Sequence, residues 1–411
     1  MKNSGALSAT AAVKLFAIAS GVVSTIISAR ILGPTDRGIF AATTTWATVI
    51  SVLAGLSLPQ IATYRIAARV NSFGAIRVKS SAVMLISALV SVTVVMVLRT
   101  FNSNLLGKLP FTLGIIAALI AAALMRESLN SALLLAAGRL DLYNRSVIIA
   151  RTMAVAFVVI PLVMGAGVKI ALGSLAVGTL LSAIYSETMV ANCTTANSSG
   201  QEQIATISIM RDAAKLHPNA IAALLYSSAG ILVLNAYSSQ EDVAHFSLAT
   251  QMLSIMLFPA QAVGTASYAL AGQHGISRAL PLQFKLFRKL SIIMLAFIAL
   301  GFVLAKPAVL VVAGEEFRPA ADVFHLLLPS VVGMVLMEVM APQWITRGLF
   351  GLSSTITIAV GAISLISLLI LVPTLGIRGA IIAHWITYGL AVVGNGSFAI
   401  HLRRQLRQKT L

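Results

Sequence analysis

The sequence predicts an all-α membrane protein of about twelve spanning helices, arranged as two six-helix lobes with a pseudo-twofold axis along the membrane normal. Three observations carry this. Mean hydropathy is +0.94 with only 10% charged residues, far below the quarter or so of an ordinary soluble domain. Apolar runs of about 20 residues recur along the chain, the length that crosses a bilayer as a helix. Segments of the first half also find weak counterparts in the second, shifted by about half the chain.

The spans are expected near 11–31, 39–63, 81–101, 111–137, 146–166 and 169–190, then 217–236, 244–270, 289–312, 323–346, 354–373 and 379–400. Each is continuous in its apolarity and ends at Gly, Pro or charge, which argues helix; barrel strands would show short alternating segments. The start, "MKNSGALSATAAVKLFAIASGVVSTIISAR", reads as the first span, because its apolar part outlasts a signal-peptide core and no clean cleavage site follows. "LGPTDRG" then turns the chain through Gly33–Pro34 into the second span. The polar stretch around 191–215 is expected to link an N-terminal lobe, 1–190, to a C-terminal lobe, 216–411.

Orientation follows from the positive charges. With the N-terminus cytoplasmic, the outer gaps and ends hold eight Lys/Arg (Arg30, Arg37, Arg99, Lys108, Lys169, Lys306, Arg318, Arg378) and the inner ones eighteen, among them Lys2, Arg65, Arg69, Arg77 and Lys409. That bias places both termini inside. The same pattern accounts for much of the net charge of +17, so nucleic acid is not a partner: no aromatic-interleaved basic face and no zinc pattern accompany it. Cys193 is the single cysteine, so no intrachain disulfide forms. His217, His245 and His384 show no metal spacing, and no phosphate-cradling G-x-x-x-x-G-K-[ST] loop exists, so no metal or cofactor is expected.

The repeat rests on three pairs. "GPTDRGIFAATTTWATVIS" matches "YSSQEDVAHFSLATQMLSI", with Phe40 against Phe246. "LMRESLNSALLLAAGRLDLYN" matches "LMEVMAPQWITRGLFGLSS", with Glu127 against Glu338. "GVKIALGSLAVGTLLSAIY" matches "GIRGAIIAHWITYGLAVVG", with Lys169 against Arg378. Six spans per repeat is an even number, so both repeats enter from the same side, as in parallel-repeat transporters.

Charges inside spans are the candidate functional residues, because a cation at the bilayer centre costs about 2.5–3.5 kcal/mol and must face a cavity or a partner. Arg126 lies near the middle of span four, too deep for easy snorkelling. It either offers bidentate hydrogen bonds to a phosphate or pairs with an acid on another helix. Lys14 and Arg151 lie about one turn inside spans one and five, where they snorkel to the interface or form a vestibule for an anionic headgroup. Glu127 and Glu338 are repeat-equivalent carboxylates, candidates for ion or proton coupling or for interhelical bonding. Asn235, Gln251, Gln261 and Gln343 line a sugar path or act as interhelical glue.

The opening "SARILGPTDRGIFAATTTWATVISVLAGLSL" resembles the first hairpin of bacterial polysaccharide exporters and lipid-linked oligosaccharide flippases, within the multidrug/oligosaccharidyl-lipid/polysaccharide exporter superfamily. "DVAHFSLATQMLSIMLFPAQAV", "VVAGEEFRPAADVFHLLLPSVV" and "LVPTLGIRGAIIAHWITYGL" are similar to later parts of the same family. The resemblance implies alternating access by two lobes that carry a polyprenyl-pyrophosphate-linked glycan across the bacterial inner membrane. It implies a monomer among membrane lipids, with a polysaccharide polymerase and glycosyltransferases as pathway partners, and no enzymatic step. A multidrug or cation antiporter of the same superfamily is the alternative, disfavoured because the first span carries Lys14 and no acid. A membrane glycosyltransferase or glycan polymerase would need paired carboxylates or a His in a sizeable outer loop, and the outer gaps are short.

Overall fold

Helix formation follows directly from the apolar runs, since in lipid a spanning backbone must satisfy its own N–H and C=O groups. The computed structural model describes residues 3–67, 72–101, 110–194, 206–264, 267, 276–347 and 349–408, and within these every regular element is helical. In order they are α1 (Asn3–Gly55), α2 (Leu58–Ala67), α3 (Phe73–Phe101), α4 (Phe111–Ala136), α5 (Leu140–Val163), α6 (Val168–Thr194) and α7 (Thr206–Tyr237). Then follow α8 (Gln240–Met256), α9 (Phe258–Gly264), α10 (Ile276–Ala313), α11 (Arg318–Leu327), α12 (Val331–Thr346), α13 (Phe350–Leu375) and α14 (Ile377–Gln408).

Among the described residues nine helices are long and apolar enough to cross a membrane, or ten if α8 and α9, bent by 46°, form one span. The first of these, Ala12–Gly55, has 44 residues, about 66 Å of helix against a hydrocarbon core of about 30 Å. The expected turn lies inside it: Gly33 adopts φ 67, ψ 177, a conformation open to glycine, and Pro34 begins the next helical stretch.

Three expected spans are interrupted. The second breaks at Leu56 and Ser57, both with positive φ (50 and 53), before α2 resumes with Pro59 in its first turn. The eighth breaks at Leu257, again just before a proline, Pro259. The tenth passes through a short 3-10 turn at Leu328–Ser330 that contains Pro329. In each case the proline lies where its missing N–H costs no helical hydrogen bond.

The chain divides into two units, residues 1–221 and 222–411. The segment read as a linker is helical from Thr206, because α7 runs unbroken from there to Tyr237; 195–205 lie outside the described residues, as do Lys2, Arg69, Lys108 and Lys409 of the orientation count. The start of α7 is held to α2. Arg65, 7% exposed, donates to Asp212 Oδ2 at 2.6 Å, to the Ser208 carbonyl at 3.1 Å and to Ser208 Oγ at 3.2 Å. Arg65 is therefore more than an orientation charge.

In the first unit α4 is central and packs on α1, α2, α3 and α6. Its buried Ala117, Ala118, Ala121 and Ala123 let neighbouring backbones approach closely, the usual solution where lipid removes any hydrophobic drive between helices. Towards its C-terminal end this gives way to larger side chains: Met125, Leu129, Leu133 and Leu134 join Leu58, Ile61, Ile76, Met84, Met189 and Val190 in one buried cluster. Apolar side chains facing outward, such as Leu85, Ile86 and Leu89 on α3, match a lipid surround. In the second unit α14 packs on α12 and α13, and α11 on α8 and α10. Small residues again let helices approach closely, as at Gly333 of α12 against Tyr388 of α14.

Candidate functional site in the first unit

Arg126 lies 15 residues into α4 and 10 before its end, so about 22 Å of helix precede it and 15 Å follow. One turn on, Asn130 shares its face. α6 runs alongside α4 and brings Ser182, Ser186 and Glu187 to the same level, Glu187 being 7 residues before that helix ends. α3 adds Arg77 from its second turn.

The result is a charge cluster built from three helices. Arg126 Nη2 donates to Glu187 Oε2, and Arg77 Nη2 donates to Glu187 Oε1 at 3.0 Å. Asn130 is fully buried. With its amide nitrogen turned to Glu187 it donates to Oε2 at 2.9 Å, while its carbonyl accepts from Ser186 Oγ at 2.8 Å and from the Glu187 N–H at 3.2 Å. Two guanidinium groups thus share one carboxylate. The three charged side chains are each between 22% and 29% exposed, so the cluster is reachable.

Glu127, about 100° around α4 from Arg126, accepts a long hydrogen bond from Ser182 Oγ at 3.4 Å and lies within electrostatic reach of Arg151. Arg151 itself is exposed on α5. Lys14 is exposed on α1 and joins no ion pair among the described residues. The structure therefore brings Arg126 together with Glu187, Arg77 and Asn130, and Glu127 with Arg151, but does not draw Lys14 into either group.

Sequence reasoning left Glu187 out and gave Arg77 only an orientation role. A usable signal existed: α4 and α6 run in the same direction, and Arg126 and Glu187 lie at similar distances from their C-terminal ends. Opposite charges at one depth on neighbouring parallel spans are a pairing signal.

In the second unit Glu338 of α12 is half-buried and within electrostatic reach of Tyr226 on α7 and Tyr388 on α14. His384 stacks obliquely on Tyr388 at 4.6 Å and meets Phe246 edge-on at 6.3 Å. Gln343 donates to Gln283 Oε1 at 2.5 Å, and Asn235 accepts from Gln240 at 3.0 Å, so both have protein partners.

Similar folds are found among transporters. One is an inward-facing multidrug resistance MATE family transporter of the MOP superfamily: 16% identity, TM-score 0.69, with 95% of this chain and 96% of that one covered. A second is the lipid II flippase MurJ in an inward closed conformation: 9% identity, TM-score 0.71, 93% and 86% covered. A third is a MOP superfamily transporter from Pyrococcus furiosus described as having a binding pocket of reverse polarity: 16% identity, TM-score 0.58, 98% and 93% covered. At these identities the likeness establishes the fold. No curated protein matches the sequence. Residues 5–268 match the family described as polysaccharide biosynthesis protein. That match spans more than half of the 411 residues, and the chain belongs to this family of multi-pass membrane proteins.

Proposed function

We propose that this protein is a flippase that moves a lipid-linked anionic oligosaccharide or polysaccharide precursor across the bacterial inner membrane by alternating access of its two lobes, both termini cytoplasmic. The observation that carries this reading is the pairing of two guanidinium groups with one carboxylate at Arg77, Arg126 and Glu187. A cation as deep in a span as Arg126 is costly unless it meets an anion or a partner, and a diphosphate headgroup offers planar guanidinium groups several acceptor oxygens. Arg126 binds the headgroup phosphate, Arg151 and Lys14 gather it from the membrane surface, and no covalent step is involved. The polymerase and glycosyltransferases of the same pathway supply and consume the glycan.

Transport of a fluorescent polyprenyl-diphosphate oligosaccharide into proteoliposomes tests this. Arg126→Ala is expected to lower the rate at least tenfold, since a hydrogen bond to a charged group contributes about 1.5–3 kcal/mol, while the amount of reconstituted protein holds. Unchanged transport removes Arg126 from the site.

Glu338 beside Tyr226 and Tyr388 favours a second reading, ion-coupled export of a lipophilic cation. On that reading the same vesicles move a cationic dye against an ion gradient, Glu338→Gln abolishes the movement, and Arg126→Ala leaves it intact. Absence of dye movement in the wild type dismisses it.

A further inference from the structure

We propose that the end of the second unit formed by the start of α10 and the last turns of α14 is a docking surface for anionic phospholipid of the surrounding membrane. The ligand is the bilayer itself, whatever the cargo, so this surface does not depend on the flippase reading. Charge is distributed unevenly over this unit. No Asp or Glu occurs between Asp242 and Glu315 or after Glu338, whereas these stretches carry Lys285, Arg288, Lys289, Arg403 and Arg404. All five side chains are exposed, and none forms an ion pair among the described residues. The first unit differs: there Arg65 meets Asp212, Arg126 meets Glu187 and Arg139 meets Asp141. Orientation in a membrane needs only a count of positive charges. It does not explain why one set is matched with acids and the other is left open.

Packing brings the two helices together at one level. Near the end of α12, Gln343 donates to Gln283 of α10 at 2.5 Å. Its neighbour Trp344 stacks on Phe398 of α14 at 3.7 Å and donates to Asn395 at 2.9 Å. Arg347, one turn past Gln343, adds a buried Nε with no hydrogen-bond partner among the described residues. On α10, Lys285, Arg288 and Lys289 are spaced i, i+3, i+4 and share a face. Further along the helix that face turns aliphatic, with Ile292, Leu300 and Val303 exposed. From Lys289 to Lys306 the helix carries no charge, a rise of about 26 Å against a hydrocarbon core of about 30 Å. The cations therefore lie where acyl chains give way to phosphates, with their stems along the lipid and their heads turned outward. An anionic phospholipid fits both parts of the stripe, its chains against the aliphatic side chains and its phosphate against the guanidinium and ammonium groups. A soluble polyanion fits only the charged part.

The test measures binding of a fluorescent dioleoyl phosphatidylglycerol to the purified full chain in nonionic micelles, where membrane orientation plays no part. Phosphatidylcholine with the same chains, glycerol 3-phosphate and an oligoglutamate are separate arms. Phosphatidylglycerol is expected to bind at least about fivefold more tightly than phosphatidylcholine, the equivalent of one well-placed cation, and the preference shrinks as salt rises. Lys285→Gln/Arg288→Gln/Lys289→Gln brings the two lipids level. Arg139→Gln, which removes a cation already matched by Asp141, leaves the preference as it was. Equal binding of the two lipids by the wild type overturns the surface, and so does a preference that survives the triple change. Glycerol 3-phosphate or oligoglutamate binding as tightly as the lipid overturns the membrane as its occupant. If the triple variant does not fold, Lys285→Gln/Lys289→Gln decides: a preference cut at least by about half supports the surface, and a smaller change or none overturns it.

Discussion

Gly333→Leu leaves no stably folded second unit, and Gly333→Ala lowers its thermal midpoint by about 5 °C in detergent micelles. A Cβ on Gly333 would lie 2.3 Å from the Tyr388 carbonyl oxygen and 2.9 Å from the Tyr388 Cβ. Backbone cannot swing aside as a long side chain can, so α12 and α14 must separate. Overpacking of this kind costs about 3 kcal/mol, against which alanine regains about 1 kcal/mol of helix propensity over glycine. The balance, about 2 kcal/mol, corresponds to a few degrees for a unit of this size. Gly389 is the internal control: it neighbours Tyr388 on the same helix, yet its Cβ would meet nothing within 4 Å. Gly389→Ala is therefore expected to be neutral or slightly stabilising. A midpoint unchanged by Gly333→Ala would mean that the contact between these two helices is looser than described.

Much of this architecture was legible because lipid simplifies the code. A run of about 20 apolar residues has one stable solution, so over the described residues each expected segment coincides with a helix or a helix with a break, and the turn at Gly33–Pro34 falls where glycine and proline together demand it. The interruptions at Leu56–Ser57 and Leu257 were harder to see. Their flanking residues are apolar, and only Pro59 and Pro259 mark the places, each of which could equally have been a kink inside a continuous span. The polarity of 206–215, within the segment read as a linker, has a further reason: Ser208 and Asp212 serve Arg65 from a helix. That contact joins residues about 145 positions apart, and no local pattern encodes it.

The candidate site shows the same division. Arg126 stood out because a deep cation is rare enough to need a reason, and both of its expected roles, phosphate ligand and partner of an acid on another helix, remain physically coherent once Glu187 is found opposite it. Glu187 escaped notice because it lies close enough to the end of α6 to pass for an interfacial charge. Arg77, four residues into α3, passed for an orientation signal on the same ground. Depth along a span, compared across neighbouring helices, is the information that single-segment reading discards.

A charge reversal separates the two roles of Arg126. Arg126→Glu alone sets a second carboxylate beside Glu187 with only Arg77 to serve both, and is expected to lower thermal stability by several degrees and to abolish flipping. The double variant Arg126→Glu/Glu187→Arg restores one cation and one anion between α4 and α6, so most of the lost stability returns. Transport does not return with it. The guanidinium now projects from α6, where the buried amide of Asn130, which steadied a carboxylate, offers its N–H to a cation instead. A headgroup site must hold its donors in one fixed arrangement, and losing even one charged hydrogen bond of about 1.5–3 kcal/mol lowers the rate about 10- to 150-fold. A lock between two helices asks only for opposite signs. Recovery of flipping in step with thermal stability would therefore identify Arg126 as a packing element and place the anion's ligand elsewhere; stability without flipping is the signature of a residue that touches cargo.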